Sequence, residues 1–277
     1  MFDFKREFDF IAIGDTATDA FIRLGAAAHI DIDKGIREIC LKFADKIPYE
    51  DVIVVPAVGN SANAGVAAAR LGLKSALVSN IGDDYFGKEC LGVLKKEGVS
   101  ARFIKIHKDQ KTNYHYVLWY EDDRTILIKH EEYEYELPDI NSPRWIYFSS
   151  LGGNSLSFHK KVEKFLFKHP EVKVAFQPGT FQMKIGAAAL KGIYQRSDVF
   201  LCNKEESQRI LQTEENDIKK LLFLMRELGP KIVVITDGVK GAYADDGANA
   251  WFMPPYPDPK PPYERTGAGD AFSSTFV

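Results

Sequence analysis

The fold is decided by four short apolar segments in the second half of the chain: residues 145–149 (WIYFS), 172–176 (VKVAF), 199–202 (VFLC) and 232–236 (IVVIT). Each has the length and the almost continuous apolar character of a strand that is buried on both faces. Helical patterns lie between them, near residues 158–168, near residues 185–194 and in two segments that end at Leu228. Strands that alternate with helices predict an α/β fold with a mostly parallel sheet flanked by helices.

The first half of the chain repeats this alternation. A short apolar run, Phe8–Ile13, stops at Gly14 and predicts a buried strand that ends in a turn. The pattern then predicts an Ala-rich helix at Ser61–Leu71, which its first Ser can cap. A strand at Lys74–Ile81 and an amphipathic helix at Tyr85–Glu97 follow. These elements suit one large domain.

Residues 112–130 follow a different pattern, with alternating side chains instead of a continuous apolar run. The two faces of the first strand carry Tyr114, Tyr116 and Leu118 on one side and His115, Val117 and Trp119 on the other. A polar tip, residues 121–124 (EDDR), precedes a second strand at Thr125–Lys129. Period-two alternation around a polar turn predicts an antiparallel hairpin, set apart from the main sheet.

Composition and charge argue against several classes of protein. The 277 residues include 36 Lys and Arg against 39 Asp and Glu, and the net charge of −3 disfavours binding to nucleic acid. Cys40, Cys90 and Cys202 are too scattered for a disulfide framework or a zinc site. The sequence shows no apolar run that spans a bilayer and no secretory signal, so we expect a cytoplasmic protein without membrane contact.

Motifs of other enzyme classes are missing from the sequence. It contains no GxxxxGK(S/T), the phosphate-binding loop of P-loop enzymes. No GxGxxG follows the first strand, which disfavours a dinucleotide-dependent oxidoreductase. HExxH and GxSxG are also absent, so neither a His-rich metal site nor a hydrolase nucleophile is indicated.

The strongest local signal is TGAGDAF at residues 266–272. Two glycines that open an apolar helix leave backbone N–H groups free to bind an anion, and the helix dipole favours this binding. Asp270, in the first helical turn, would lie beside a bound phosphate, where it can accept a proton from an incoming hydroxyl. The alternative is a tight turn in which the acidic residue only suits the dipole.

Two segments after strands in the second half of the chain are candidates for nucleotide contact. Asn203–Glu206 either caps a helix or places Glu206 near a magnesium-bound triphosphate. Thr236–Gly241 either cradles a nucleotide or forms a glycine-rich turn. The residues alone leave both alternatives open.

Two segments in the first half are candidates for binding a second substrate. In Gly59–Asn63, Gly59 permits close approach of a ligand to the backbone, and Asn63 can bind a sugar hydroxyl. Asp19 lies shortly after the first strand. Ordinary helix initiation and turn formation are the alternatives for these residues.

In order and spacing, these segments resemble the ribokinase-like (PfkB) family of kinases. The family shows a glycine and an acidic residue after strand one and a GGxxxN-type motif that opens a helix. It also shows a GDDxFG segment, an NxxE motif and a final GAGD turn. This chain has them at Gly14 with Asp19, Gly59–Asn63, Ile81–Gly87, Asn203–Glu206 and Thr266–Asp270. The resemblance spans essentially the whole chain.

The resemblance implies a single domain, 1–277, with a Rossmann-like sheet and a small β-sheet lid from insertions near 17–56 and 110–136. It implies ATP and Mg²⁺ as cofactors and a sugar or nucleoside as substrate. Asp270 would be the catalytic base beside an anion hole of Gly267, Ala268 and Gly269. The acceptor would face Asp19, Gly59, Asn60 and Asn63. The nucleotide would lie near Asn203, Thr236, Gly238 and Gly241, and Mg²⁺ near Glu206 through water.

The sequence departs from the family pattern at four places. Asn60 replaces the usual second glycine, which should alter the acceptor pocket. Ala17-Thr18 leaves no amide where ribokinase-type members have one, so ribose itself is not assured. Glu264-Arg265 replaces an acidic residue and a threonine, which leaves activation by a monovalent cation open. Family members continue past the GAGD helix, so the resemblance implies a chain that is incomplete beyond Val277.

We therefore expect an ATP-dependent kinase that phosphorylates a primary alcohol of a sugar or nucleoside. A non-catalytic protein that binds a nucleotide or sugar on the same fold is the alternative. In the lid, Tyr114, Tyr116 and Trp119 either stack on a nucleoside base, pack within the lid, or contribute to a homodimer formed through the lid.

Overall fold

The computed structural model describes residues 6–26, 28–33, 36–257, 259–260 and 266–277, so Glu264-Arg265 lies outside the described residues. The strands, in chain order, are β1 (Phe10–Ile13), β2 (Ala17–Leu24), β3 (Ala28–Asp33), β4 (Ile36–Leu41), β5 (Tyr49–Val58), β6 (Ser75–Gly82), β7 (Ile104–His107), β8 (Tyr114–Tyr120), β9 (Asp123–Leu127), β10 (Trp145–Phe148), β11 (Lys173–Phe176), β12 (Val199–Asn203), β13 (Ile232–Thr236), β14 (Ala242–Asp245) and β15 (Ala250–Met253). The α-helices are α1 (Asn60–Arg70), α2 (Tyr85–Lys96), α3 (Leu156–Lys168), α4 (Thr180–Ile185), α5 (Lys191–Arg196), α6 (Lys204–Leu211), α7 (Ile218–Glu227) and α8 (Ala268–Phe276).

Nine of the described strands form the main sheet, in the order β15-β14-β13-β12-β11-β10-β1-β6-β7. The strands from β13 to β7 are parallel, whereas β14 and β15 extend one edge in antiparallel fashion. Strand β1 pairs with β6 on one side and β10 on the other, so the strand order reverses at this point. The predicted α/β fold with a mostly parallel sheet is confirmed.

Successive residues of the central strands supply two separate cores. In β1, Phe10 and Ala12 pack in one core with residues of α1 and α2. Ile11 and Ile13 pack in the other core, with residues of α3, α5 and α7. Because the side-chain period of a strand is two, a strand covered by helices on both faces needs apolar residues at every position. This explains why the strands that decide the fold are almost continuously apolar.

A second sheet, the lid sheet, has four strands in the order β5-β2-β8-β9. Strands β8 and β9 form the predicted antiparallel hairpin, with Tyr116 opposite Leu127 and Tyr120 opposite Asp123. The second strand spans Asp123–Leu127 instead of the predicted 125–129. Glu121 explains the shift, since its left-handed backbone (φ 54°) closes a shorter turn than the predicted four-residue tip. Strands β3 and β4 pair separately as a two-stranded sheet.

The segment Ile81–Gly87 joins the main sheet to the lid sheet. Asp84 accepts hydrogen bonds from the N–H of Gly87 (2.9 Å) and from the hydroxyl (2.6 Å) and N–H (3.1 Å) of Thr112. Burial alone would raise the pKa of Asp84, but these hydrogen bonds outweigh burial and lower the pKa. A Cβ on Gly82 would lie 2.2 Å from a backbone oxygen of the chain leading to β8, so glycine is required there.

Two local predictions were wrong. The helix predicted near residues 185–194 is divided into α4 and α5, because Gly186 adopts a left-handed backbone (φ 89°) that ends α4. Ser61 does not cap α1, since it is the second residue of that helix. Its hydroxyl instead donates to the carbonyl oxygen of Asp15 (3.0 Å), which ties α1 to the turn after β1.

The surface of the lid sheet bears on the predicted homodimer. Val52, Ile53 and Leu127 are among the apolar side chains that it exposes to solvent. A contact between two lids would cover such residues, and the homodimer stays a prediction.

None of the helices in the described part of the chain combines the length and the hydrophobicity that crossing a membrane requires.

Replacing Phe176 by Ala tests the core beneath the carboxyl ends of the strands. Phe176 is fully buried, and its ring lies 5.7, 5.3 and 5.8 Å from those of Phe148, Tyr194 and Phe200. We expect Phe176→Ala to lower the free energy of unfolding by about 3–5 kcal/mol, because it removes apolar burial and leaves a cavity. The exposed control, Phe223→Ala, should change it by about 0.5 kcal/mol or less. Urea denaturation measures both, and equal losses would contradict this core.

Candidate active site

The carboxyl ends of the parallel strands gather polar residues at one edge of the main sheet. Asp15, Gln177, Asn203 and Thr236 lie at or just after the ends of β1, β11, β12 and β13. Asn203 and Thr236 are neighbours in register. Ligands of open parallel sheets bind outside the carboxyl ends, where the strand order reverses, which in this sheet is between β1 and β10. This edge is therefore the candidate active site.

Asp270 lies in the first turn of α8, which packs against α1. Its Oδ2 accepts a hydrogen bond from Nδ2 of Asn63 (2.8 Å), and its Oδ1 accepts one from Nε2 of Gln177 (3.3 Å). Burial raises the pKa of Asp270, and the negative charge of Asp19 adds to the rise. The two amide donors and the positive charge of Arg124 oppose it. A half-buried carboxylate with a raised pKa is suited to accept a proton.

The start of α8 offers unpaired backbone donors. Gly267 is the N-cap residue and has a left-handed backbone (φ 79°), which favours glycine. A Cβ added to Gly267 or Gly269 would meet none of the described atoms within 4 Å. The first N–H groups of a helix have no carbonyl partner within it, so this turn, with Ala268 between the glycines, can receive a phosphate group.

Gln177 is a residue of this edge that the sequence motifs did not reveal. Its Oε1 accepts a hydrogen bond from the hydroxyl of Tyr147, while its Nε2 faces Asp270. Because a hydroxyl bound to an amide oxygen must donate, this contact fixes the NH₂ group toward the carboxylate. Burial raises the pKa of Tyr147 well above its ordinary value, so the hydroxyl keeps its proton. The available sequence signal was the position directly after an apolar strand.

The residues predicted to face the acceptor lie around Asn63. Asp19 is buried on β2 of the lid sheet and acts on Asp270 through its charge. Gly59 precedes α1 with φ 105°, and a Cβ there would lie 3.1 Å from a carbonyl oxygen of the turn after β1. The backbone alone therefore requires glycine at this position. Asn60 is the first residue of α1, and Asn63 contacts Asp270 directly.

Asn203 and Glu206 form a reciprocal capping box at the start of α6. Oδ1 of Asn203 accepts from the N–H of Glu206 (2.8 Å), and Oε2 of Glu206 accepts from the N–H of Asn203 (2.9 Å). Burial raises the pKa of Glu206, the capping hydrogen bond opposes the rise and the charge of Asp270 adds to it. The capping alternative is confirmed, and the same carboxylate lies within electrostatic reach of Asp270.

The remaining predicted nucleotide residues divide into two groups. Thr236 ends β13 beside Asn203, at the candidate active site. Gly238 begins a short 3₁₀ helix, Gly238–Lys240, with φ 50°. Gly241 has φ 96°, and a Cβ there would lie 2.4 Å from a carbonyl oxygen of β15. Close packing of the antiparallel edge is therefore sufficient to explain Gly241.

The lid aromatics do not form one surface. Trp119 is buried, its Nε1 donates to a backbone oxygen (2.8 Å), and Arg23 lies over its ring at 5.1 Å. Tyr114, on the other side of β8, lies with its ring 4.6 Å from that of Phe86 and 5.3 Å from that of Tyr116. The structure thus supports packing within the lid for Trp119 and Tyr114.

Comparisons with known proteins identify the family. The sequence profile of pfkB family carbohydrate kinases matches residues 37–277. The chain belongs to this family. A nucleoside kinase from Methanothermobacter thermautotrophicus is 25% identical over 278 residues, covering 97% of this chain and 81% of that protein. An ATP-dependent 6-phosphofructokinase from Thermoanaerobacterium thermosaccharolyticum is 27% identical over 233 residues, covering 79% of this chain and 70% of that protein.

Solved structures of ribokinases share the fold of this pfkB family member. Ribokinase from Arabidopsis thaliana, complexed with ribose and ATP, superimposes with a TM-score of 0.74 at 19% identity and covers 97% of this chain and 84% of its own. Ribokinase from Cryptococcus neoformans, in complex with ADP, gives 0.71 at 20% identity, covering 97% and 85%. At such identities the likeness establishes the fold, and the predicted ribokinase-like architecture is confirmed.

The polar residues at this edge fit the ATP and Mg²⁺ that the pfkB family implies. The described residues include no group of three or more His, Cys, Asp or Glu side chains that could enclose a metal ion. Mg²⁺ needs no such cage, because it commonly takes one or two carboxylates and completes its coordination with water and nucleotide phosphates. Glu206 can supply a carboxylate, and the start of α8 can supply donors to the phosphates.

Two substitutions at Glu206 separate its capping bond from its charge. Ionised Glu206 costs stability above its raised folded pKa, and this cost disappears as the pH falls toward the unfolded pKa. Glu206→Gln keeps the capping acceptor, so we expect it to be more stable than the wild type at pH 8, with the difference vanishing near pH 4. Glu206→Ala should be about 1 kcal/mol less stable than Glu206→Gln, because it removes the cap. Urea denaturation at both pH values measures these effects, and a Gln variant less stable than the wild type at pH 8 would contradict them.

Proposed function

We propose that this protein is an ATP-dependent kinase that transfers the γ-phosphoryl group to a primary alcohol of a sugar or nucleoside. The observation that carries the proposal is the position of Asp270. Its carboxylate is held by Asn63 at the open start of α8, next to backbone donors that suit a phosphate group. A base and an anion site thus lie side by side.

In the proposed reaction, Asp270 accepts the proton of the acceptor hydroxyl. The hydroxyl oxygen forms a bond to the γ-phosphorus, the bond from phosphorus to the β–γ bridging oxygen breaks, and ADP leaves with that electron pair. The N–H groups of Gly267, Ala268 and Gly269 stabilise the charge on the phosphoryl oxygens during transfer. Positioning and charge stabilisation supply most of the acceleration in such reactions.

The similar proteins support both substrates of this proposal. Among them are a nucleoside kinase, a ribokinase complexed with ribose and ATP, and a ribokinase in complex with ADP. On this basis we assign Asn203, Thr236, Gly238 and Gly241 to the nucleotide side. Glu206 would hold Mg²⁺ through water, and the ion would neutralise the phosphates.

The acceptor side of the proposal involves residues from both sheets. Asp19 on the lid sheet and Gly59, Asn60 and Asn63 at the start of α1 would surround the hydroxyl that is phosphorylated. Asn63 bonds one oxygen of the base, Oδ2 of Asp270, so it can align the acceptor and the base together. A closed lid would also exclude water and limit ATP hydrolysis.

Removing the charge of Asp270 tests the proposal. We expect Asp270→Asn to reduce kcat with ATP and the best acceptor among ribose, fructose and adenosine by about 10²- to 10⁴-fold, because general-base catalysis is lost. ATP affinity, measured by calorimetry, should stay within about twofold. Asp246→Asn, in the exposed β14–β15 turn, is the matched control and should keep full activity. Retained product formation in Asp270→Asn would refute the assigned base.

The raised pKa of Asp270 predicts the acid side of the pH–rate profile. Only the ionised carboxylate accepts a proton, so kcat/KM should fall as the pH decreases through a pKa above that of an ordinary Asp, about 3.9. Gln177→Leu removes a donor that lowers this pKa, and the acid limb should move to higher pH. Steady-state rates between pH 4 and 9 measure the acid limb of the wild type and that of the variant. An acid limb that does not move in Gln177→Leu would contradict the hydrogen-bond assignment.

A further inference from the structure

Tyr147 is a buried tyrosine beneath the candidate active site, and packing alone does not explain its hydroxyl. The side chain lies on β10 in the core that contains residues of α1 and α2, and its ring is 5.8 Å from that of Phe10. A phenylalanine has the same ring and would fill nearly the same space. A hydroxyl in an apolar core costs free energy unless it is hydrogen-bonded, so its partners indicate its role.

Strand register places this hydroxyl beside Gln177. Tyr147 pairs with Ala175 on β11, and the side chain two residues further along a strand points to the same face. The backbone of Gln177 continues the register, since its N–H donates to the carbonyl oxygen of Phe148 (3.0 Å). Its own carbonyl oxygen accepts from the hydroxyl of Ser149 (2.8 Å). The hydroxyl of Tyr147 donates to Oε1 of this well-fixed residue.

A second partner of the Tyr147 hydroxyl lies on α8. Burial raises the pKa of Tyr147, and Ser273, which hydrogen-bonds to the hydroxyl, acts to lower it. Ser273 is 5% exposed and follows Asp270 by three residues, so the two side chains share one face of α8. Nε2 of Gln177 donates to Oδ1 of Asp270 (3.3 Å). Hydrogen bonds therefore connect Asp270, Gln177, Tyr147 and Ser273 in a ring that one turn of α8 closes.

The carboxylate sets the direction of each hydrogen bond in this ring. Ionised Asp270 only accepts, so Gln177 presents its NH₂ group to Asp270 and its Oε1 to Tyr147. The Tyr147 hydroxyl must then donate, and its oxygen accepts from Ser273. Without that hydroxyl, Oε1 would lose this donor and the amide would be free to rotate Oε1 toward Asp270. Such an orientation repels an ionised carboxylate but accepts a hydrogen bond from a protonated one.

Charged groups on other elements also act on this ring. Burial raises the pKa of Asp270, Arg124 on β9 opposes the rise, and Asp19 on β2 adds to it. Burial also raises the pKa of Tyr147 well above its ordinary value, and the charges of Asp270 and of Glu206 on α6 add to that rise. Tyr147 is therefore neutral. Replacing it by Phe removes hydrogen bonds and no charge, so the effects of the surrounding charges stay the same.

We infer that Tyr147, held by Ser273, is a positioning residue that fixes the amide of Gln177 with its NH₂ group toward Asp270. The helix that carries the base thus also carries the hydroxyl that holds Tyr147 in place. This inference rests on the proposed function and deepens it by naming the residues that orient the surroundings of the base. Tyr147 acts through Gln177.

Replacing Tyr147 by Phe tests the role of the hydroxyl. Gln177 with a freely rotating amide should stabilise ionised Asp270 less, so the acid limb of kcat/KM should move to higher pH. With ATP and the best acceptor among ribose, fructose and adenosine, kcat/KM is normalised to the plateau of each protein. At the midpoint of the wild-type acid limb it should then fall about threefold. Tyr194→Phe, in the other core, is the matched control and should leave the limb in place.

A double variant separates positioning from packing. If Tyr147 acts through Gln177, Tyr147→Phe should add no shift of the acid limb in the Gln177→Leu background, because no amide is left to orient. A limb that stays in place in Tyr147→Phe would overturn the inference. So would an equal further shift in the Gln177→Leu background, because the hydroxyl would then act independently of the amide.

Unfolding by urea follows the same titration without product formation. Burial raises the folded pKa of Asp270, so its ionisation costs stability as the pH rises, and the stability advantage of Asp270→Asn over its parent should grow from pH 4 to pH 8. This growth should be larger in the Tyr147→Phe background than in the wild type, and equal growth in the two would overturn the inference. Larger growth without phosphorylation of any acceptor would leave the inference standing and refute the proposed kinase.

NMR on the wild-type protein gives a measurement that does not depend on folding of Tyr147→Phe. The hydroxyl proton of Tyr147, bonded to Oε1 of Gln177, should exchange slowly with water. Its chemical shift should change with the titration of Asp270, because Gln177 contacts both groups, and this change should disappear in Asp270→Asn. A hydroxyl proton that exchanges rapidly, or whose chemical shift is constant between pH 4 and 8, would show that Tyr147 does not hold the amide.

Discussion

Asp270 accepts hydrogen bonds from two amide side chains, Asn63 on α1 and Gln177 after β11, and these contacts join α8 to both halves of the main sheet. Because both donors are neutral, they orient the carboxylate without the strong lowering of its pKa that a cationic donor would cause. A cation bonded to the carboxylate would lower its pKa strongly and weaken it as a base, whereas amides orient it and leave burial to dominate. The candidate active site depends on this balance, since a half-buried carboxylate with a raised pKa is costly to the fold and suits a site where a proton is accepted.

The parallel sheet makes this arrangement attainable. Residues far apart in sequence meet because parallel strands all present their carboxyl ends at one edge, and the strand order reverses next to β1, which is where ligands of such sheets bind. The lid sheet adds Asp19 and His115 from outside the main sheet, held in place by Asp84 and Thr112 at its base. Glycines at positions 82 and 87 allow the two backbones to approach closely enough for this connection.

Sequence periodicity predicted most of the fold, and ordered motifs predicted the family. Continuous apolar strands and the alternating hairpin have local causes, so residues such as Ile11 and Val117 reveal their burial directly. Gln177 and Asp15 were not predicted as members of the site, because their roles depend on which strands are neighbours. Nothing near residue 177 indicates that Tyr147 and Asp270 will lie on either side of it. The break at Gly186 was missed for a related reason, since helical patterning cannot show which glycine turns left-handed.

The bond between Asn63 and Asp270 spans 207 residues, and this separation has a consequence during biosynthesis. The apolar strands and both sides of the main sheet are synthesised before residue 270, so the body of the protein can pack before α8 has left the ribosome. The proposed base would then come into place only later, when α8 docks against α1. A nascent chain whose main sheet has packed before α8 emerges would accordingly lack the proposed base, and could not consume ATP prematurely.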